Sequence, residues 1–352
     1  MVESPLRTNR RASLELLSPL HVGSGAAPLL SDYDFTAHRG EVWVMDQARL
    51  QDRFSDEELR HGIPEIRLSM RLKPEEYPEY AAYSLPAMGA PGNEILPCIK
   101  QVDGRPYLPG SSLKGALRTV IGWAAARDGR APAVDRMNSS AKYAAGPWER
   151  GVFGPSPNLD IMRALLVDDT GAMPLDTLEL ATVSIYSLRG PELQSKGPGY
   201  RFSIEALKPG SILSCRIGVA EGTLSHPALR MAEKRHWIDG ICGLGRERAA
   251  ELIGAEIKFY ADCRMQQLSQ FYQRLLQVLE TLEENQLLVQ MSWGTGWNAK
   301  TLGSALSGNQ GFPDVRDRYR LGRPGAPFPK SRRLVERGGI PTEPMGWVKV
   351  TL

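Results

Sequence analysis

Tyr107-Leu108-Pro109-Gly110-Ser111-Ser112-Leu113-Lys114-Gly115 is the stretch on which the reading of this chain turns. Pro109 and Gly110 allow a sharp entry, and Ser111 or Ser112 is a good helix N-cap. Leu113, Leu117, Val120, Ile121 and Ala124 then recur at i, i+4, i+7, i+8 and i+11, so an amphipathic helix is expected over residues 111–126. The first turn of a helix presents unpaired N–H groups and about half a positive charge, which makes it a ready anion site. Gly115 leaves room for a ligand backbone. Lys114 and Arg118, four residues apart, project from one face and could neutralise phosphates. The same residues also suit an ordinary capped helix with two solvated charges.

Outward from this helix the pattern is α+β. Residues 12–22 read as a first strand closed by Gly23-Ser24-Gly25, and residues 33–46 as a hairpin turning at His38-Arg39-Gly40. Residues 48–62 look helical. Six prolines between Pro64 and Pro97 break regular structure there, and Tyr77, Tyr80 and Tyr83 recur at every third position. Strands are expected at 165–167, 182–188, 201–207 and 212–219. After Glu221-Gly222 the chain turns helical, with helices at 226–237, 246–254 and 264–284. A strand at 286–293 leads into a glycine loop. The last 40 residues are rich in Pro, Gly and Arg until a closing strand at 347–352. These signals divide the chain into a first domain, 1–220, carrying a Pro-rich insertion at 64–97, and a C-terminal domain, 221–352.

Two further segments carry chemistry. Trp293-Gly294-Thr295-Gly296-Trp297-Asn298-Ala299-Lys300-Thr301 nearly spells a nucleotide P-loop, but Ala299 stands where the second glycine belongs and no long helix is expected after it. Gly294 and Gly296 instead suit a loop whose N–H groups cradle a phosphate. Trp293 and Trp297 could stack on bases or sit in the core. Between Asp314 and Arg337 lie eight basic residues and three acidic ones, while the whole chain carries only +3. Such concentration fits a phosphate-tracking groove or a solvated basic loop. The chain has 32 Arg and 11 Lys. That bias favours planar phosphate recognition, although a GC-rich genome produces it too.

Composition excludes several classes. A hydrophobic fraction of 42% with 24% charged residues is ordinary for a globular protein. No apolar run reaches the roughly 20 residues of a membrane helix, and Met1–Arg11 lacks a signal-peptide core, so a cytoplasmic protein with no membrane contact is expected. Cys98, Cys215, Cys242 and Cys263 form no C-x-x-C pair, so buried reduced thiols are expected rather than zinc or disulfides. None of the five histidines lies in a metal motif, and no metal or other cofactor is implied. His21 or His38, with Asp32 or Asp34, could act as acid and base in metal-independent RNA cleavage. That enzyme is the alternative to a binding protein.

Leu16-Leu17-Ser18-Pro19-Leu20-His21-Val22-Gly23-Ser24-Gly25 resembles the first strand and glycine turn of the RAMP superfamily of CRISPR effector proteins. Tyr107–Thr119 resembles the superfamily's P-G-S-S-L-K-G-x-x-R helix start, and Gly294-Thr295-Gly296 with Lys300-Thr301 its glycine-rich segment. Pro329-Lys330-Ser331-Arg332-Arg333-Leu334 is similar to a near-terminal motif of one branch, the fifth subunits of type III-A Csm complexes. The resemblance implies a ferredoxin-like, RNA-recognition-motif-type core, β-α-β-β-α-β, with insertions and a C-terminal part of helices and strands. The 64–97 insertion would correspond to the thumb of backbone subunits. It further implies a non-catalytic subunit capping the 3′ end of crRNA, with crRNA, target RNA, backbone RAMP subunits and the small subunit as partners. A backbone-type paralogue is the nearest alternative. The RNA-binding residues so implied are His21, Gly23, Ser24 and Gly25; Gly110, Ser111, Ser112, Lys114, Gly115 and Arg118; Gly294, Gly296, Trp297 and Lys300; and Lys330, Arg332 and Arg333.

Overall fold

The Gly110 helix packs on a sheet of five antiparallel strands, in the spatial order Gln286–Gln290, Trp347–Thr351, Arg10–Leu16, Ile212–Val219, Leu165–Val167. The structure, a computed structural model, describes residues 10–31, 33–53, 78–87, 89–308, 310–323 and 325–352. Along the chain these elements run strand, helix Gly110–Ala125, strand Leu165–Val167, strand Ile212–Val219, helices Ile241–Asp262 and Gln266–Glu280, strand Gln286–Gln290. That is the ferredoxin-like order, with two departures. The second helix is a hairpin of two, and the strand Trp347–Thr351 sits between the first strand and Gln286–Gln290.

Alternation explains the packing. Ala12, Leu14 and Leu16 of the first strand face inward, against Leu113, Leu117, Val120, Ile121 and Ala124 of the helix. Full burial of a leucine is worth about 1.5–3 kcal/mol, so these apolar rows, rather than surface ion pairs of about 0–1 kcal/mol each, fix the helix on the sheet. All four cysteines are buried and free. Burial pushes the Cys98, Cys215 and Cys242 thiols up to about 11, so they stay protonated at neutral pH.

A second sheet has the order Ile340–Pro344, Ser331–Arg337, Leu178–Arg189, Arg201–Leu207, Glu94–Leu96, Leu29–Leu30, with Glu192–Ser195 also paired to Leu178–Arg189. Both sheets draw strands from both sides of residue 220. A small third sheet joins Phe35–His38, Glu41–Met45 and Ala81–Pro86. Its hairpin turns at Arg39 (φ 49°) and Gly40 (φ 82°), the two positive angles that a tight two-residue turn requires.

Several expectations are corrected. The first strand ends at Leu16 rather than 22, leaving isolated bridges at Leu20 and Gly23. Strand 286–293 stops at Gln290, and the expected helix 246–254 is the middle of a 22-residue one. The region 226–237 is broken into short 3₁₀ turns before helix Arg235–Asp239. The helix expected at 48–62 is present as Gln47–Arg53; residues 54–77, including Pro64, Pro74 and Tyr77, lie outside the described residues. The remainder of the Pro-rich insertion forms a 3₁₀ turn at Pro78–Tyr80 and strands Ala81–Pro86 and Glu94–Leu96. The hairpin Ser331–Arg337 and Ile340–Pro344 was not foreseen, although Gly338-Gly339 between two runs is a hairpin signal. Among the described residues no helix is long and apolar enough to cross a membrane.

Candidate nucleic-acid interface

The helix start differs from its expected geometry in one respect. The N-cap is Pro109, not Ser111 or Ser112, so the cap residue itself offers no side-chain acceptor. The Gly110 N–H donates to Asp169 Oδ1 at 2.7 Å, and the Ser112 N–H to Pro109 O at 2.9 Å. A carboxylate of the protein itself thus answers one of the free donors. Gly110 is buried, and a Cβ there would stand 2.4 Å from Val167 O and 2.6 Å from Asp168 O. Glycine is required because the helix enters against the backbone of the neighbouring strand. We expect Gly110→Ala to lower stability by about 1–3 kcal/mol through overpacking, read as a shifted urea midpoint. A midpoint equal to wild type would refute this account of the glycine.

Past the first turn the face opens. Ser111 and Gly115 are exposed, and nothing lies within 4 Å of a Cβ at Gly115. Lys114 is half-buried, and desolvation pulls its ammonium below the ordinary lysine range. Arg118 is already engaged. It bonds Asp160 at 2.7 Å, approaches Glu149 at 3.8 Å and lies over the Phe153 ring at 3.7 Å.

The glycine loop follows Gln290 through Ser292, Gly294 and Gly296, all at positive φ. Gly294 is pressed against Met345, whereas Gly296 is open. Residues Gly296–Lys300 form one short turn of helix that ends at Thr301, as the missing P-loop glycine implied. Arg248, on the long helix, is buried beneath this turn and donates to Ala299 O at 2.9 Å; burial pushes its pKa down to about 10. Sequence reading passed over Arg248, since one arginine in a polar helix carries no local signal. Trp293 packs edge-on against His21 and Phe202, and Trp297 packs edge-on against Phe328 and tilted against Phe312. Lys300 is exposed, its pKa drawn down by desolvation and then by Arg333.

In the basic tail, charge and availability part company. Arg332 forms a two-pronged ion pair with Glu256, both bonds 2.8 Å, beneath the Phe259 ring. Arg316 donates to Leu321, Arg323 and Ala326 carbonyls, and Arg337 pairs with Glu343 and Glu179. Arg333 lies 5.2 Å from the Trp293 ring, and Lys330 is half-buried beside it in sequence. Gly294, Gly296, Trp297, Arg332 and Arg333 share the wall of one small recess.

The residues His21 and Gly23–Gly25, beyond the first strand, do not line that recess. Gly23, Ser24 and Gly25 are exposed, the Ser24 N–H donating to Pro97 O. His21 is buried, with Nδ1 2.6 Å from Glu205 O, and burial lowers its pKa. The Trp293 N–H donates to His21 O at 3.1 Å, which ties the segment after the first strand to the glycine loop.

A cleft of about 350 Å³ brings the three sequence segments together. Arg118 comes from the helix, Trp297 and Lys300 from the glycine loop, and Tyr319 and Leu321 from the tail. Its far wall, with Lys142, Trp148 and Phe153, belongs to residues 132–153. Sequence reading assigned that segment nothing, because its short 3₁₀ turns and its seven-residue helix Gly146–Val152 are too brief to show a period; Trp148 and Phe153 in a Gly- and Ala-rich stretch were the signal available.

Known proteins resemble the chain throughout. The family model of the RAMP superfamily matches residues 13–250. A protein of Streptococcus thermophilus described as "CRISPR system Cms protein Csm5" is 25% identical over 226 residues, 56% of this chain and 61% of that protein's length. The solved structure of T. onnurineus Csm5 superimposes with a TM-score of 0.68 at 24% identity, covering 97% of this chain and all of that one. A chain from a cryo-EM structure of a Csm–crRNA–target RNA ternary complex of a type III-A CRISPR-Cas system gives 0.67, also at 24% identity, with the same coverages. At that identity the two structures speak for the fold.

Proposed function

This chain belongs to the RAMP superfamily, and we propose that it is the crRNA-binding structural subunit of a type III-A Csm complex, the counterpart of Csm5. In this reading it caps the crRNA 3′ end, supports crRNA maturation and target-RNA binding, and contacts backbone RAMP subunits and the small subunit. The observation that carries it is the convergence of helix, glycine loop and tail on one cleft. The relative named Csm5 and the neighbour from the Csm–crRNA–target RNA complex support it.

Holding fits the residues better than cutting. A general base must reach the proton it removes, yet His21 is sealed in the core against the Glu205 carbonyl. The Asp34 carboxylate accepts from the Leu30 N–H at 2.8 Å and lies 3.3 Å from Gln47 Nε2. The test is binding of labelled single-stranded RNA across a salt series. Each phosphate contact on a single strand contributes about 0.7 to the slope of log affinity against log salt. Lys114→Ala with Lys300→Ala should therefore flatten the slope by about 1.4, while the RNA stays intact in EDTA. An unchanged slope refutes the site, and discrete cleavage lost in His21→Ala or His38→Ala would establish the endonuclease instead.

A further inference from the structure

The cleft is mostly apolar, and its walls are aromatic. Trp148, Trp297 and Tyr319 line it, and Phe153 lies buried behind them with its ring covered by the Arg118 guanidinium. The Trp148 ring is fixed by its Nε1–H, which donates to Arg130 O, and by Gly122, where even a Cβ would come within 3.3 Å of the ring. Trp297 is fixed likewise, since a Cβ at Gly303 would stand 1.7 Å from its ring. A volume of about 350 Å³ is within the range of small-ligand pockets, about 300–1,000 Å³.

The lining carries Arg118, Lys142 and Lys300 against one carboxylate, Glu149. Arg118 is already bonded to Asp160. The two lysines are exposed and face solvent with no carboxylate bonded to either among the described residues. Aromatic rings beside two exposed ammonium groups, that of Lys142 over the Tyr143 ring at 5.3 Å, match a flat ring joined to phosphates: single-stranded binding sites pair aromatic platforms with a cationic track in this way. Resting on the RNA-binding reading above, we propose that this cleft takes one unstacked nucleobase of the bound single-stranded RNA, with Lys142 and Lys300 on the flanking phosphates.

The experiment compares wild-type protein with Ala144→Trp, which fills the cleft from its wall, on two RNAs of equal length. One is an unmodified oligonucleotide and the other carries abasic sites. Wild type should bind the unmodified RNA about ten-fold more tightly than the abasic one, the size expected for one base–aromatic stack. Ala144→Trp should bind both RNAs equally and as weakly as wild type binds the abasic one. The exposed double variant Lys142→Glu, Lys300→Glu, whose melting should match wild type, guards against a folding defect in Ala144→Trp and should weaken both RNAs alike. 4-Thiouridine crosslinks should map to peptides containing Trp148 or Trp297. The inference is overturned if wild type binds both RNAs equally, or if Ala144→Trp keeps full affinity. Full RNA affinity in Ala144→Trp with impaired binding of a neighbouring subunit would give the cleft to a peptide segment. Failure of wild type to bind any single-stranded RNA would sink the functional reading itself.

Discussion

Glu205→Ala should lower the unfolding free energy by about 3–5 kcal/mol, the usual result of removing one member of a buried ion pair. The Glu205 side chain is fully buried. Its carboxylate accepts from Lys100, from the Tyr83 hydroxyl and, at 2.7 Å, from the Cys98 N–H. Burial, reinforced by that carboxylate, holds the Tyr83 phenol well above its ordinary range, so it remains a donor at physiological pH. Alanine would leave the Lys100 ammonium, only 14% exposed, without its anion. Since domains are stable by about 5–15 kcal/mol, this loss is a large fraction of the total. Tyr83 belongs to the small third sheet and Glu205 to the second, so that sheet should loosen first. A urea midpoint displaced by less than the equivalent of 1 kcal/mol would overturn this account.

The second large effect is expected at Glu256 and Arg332. Glu256→Ala strands a guanidinium that is 14% exposed beneath Phe259, and about 3–5 kcal/mol should again be lost. Arg332→Lys should fail to rescue, because an ammonium cannot make both parallel bonds to the carboxylate. Replacing both partners by apolar residues, Glu256→Leu with Arg332→Met, should cost far less than either single change. Denaturant midpoints of these three variants and of the single changes Glu256→Leu and Arg332→Met decide the matter, and additive single-mutant losses would refute the coupling. Any weaker RNA binding by Arg332→Ala should track the folded fraction, since its guanidinium is turned inward.

The α+β architecture was legible in the sequence because its central elements follow strict periods. The row from Leu113 to Ala124 and the strands at 165–167, 201–207 and 212–219 lie where their patterns put them. What stayed illegible depends on partners distant in the chain. Arg332 reads as one more positive charge in a basic tail, and nothing near it names Glu256, 76 positions away, as its anion. Gly110 reads as a flexible entry to a helix, while its true constraint is the Val167 and Asp168 backbone. Of the residues singled out in the sequence, Arg118, Trp297 and Lys300 line the cleft, whereas the helix start Gly110–Gly115 and the basic Lys330, Arg332 and Arg333 do not, and the wall at 132–153 has no long period to detect.

The strand Trp347–Thr351, inside the first sheet rather than at its edge, has a consequence for synthesis. The Trp347 N–H donates to Ser18 Oγ across 329 positions of chain. At roughly 5–20 residues per second, the first strand leaves the ribosome roughly 15 to 65 seconds before the strand that must lie beside it. Throughout that interval the nascent chain holds an unpaired hydrogen-bonding edge next to an apolar face, the condition under which strands recruit wrong partners. The birth of this protein, more than its mature state, is where it is most exposed to misassembly.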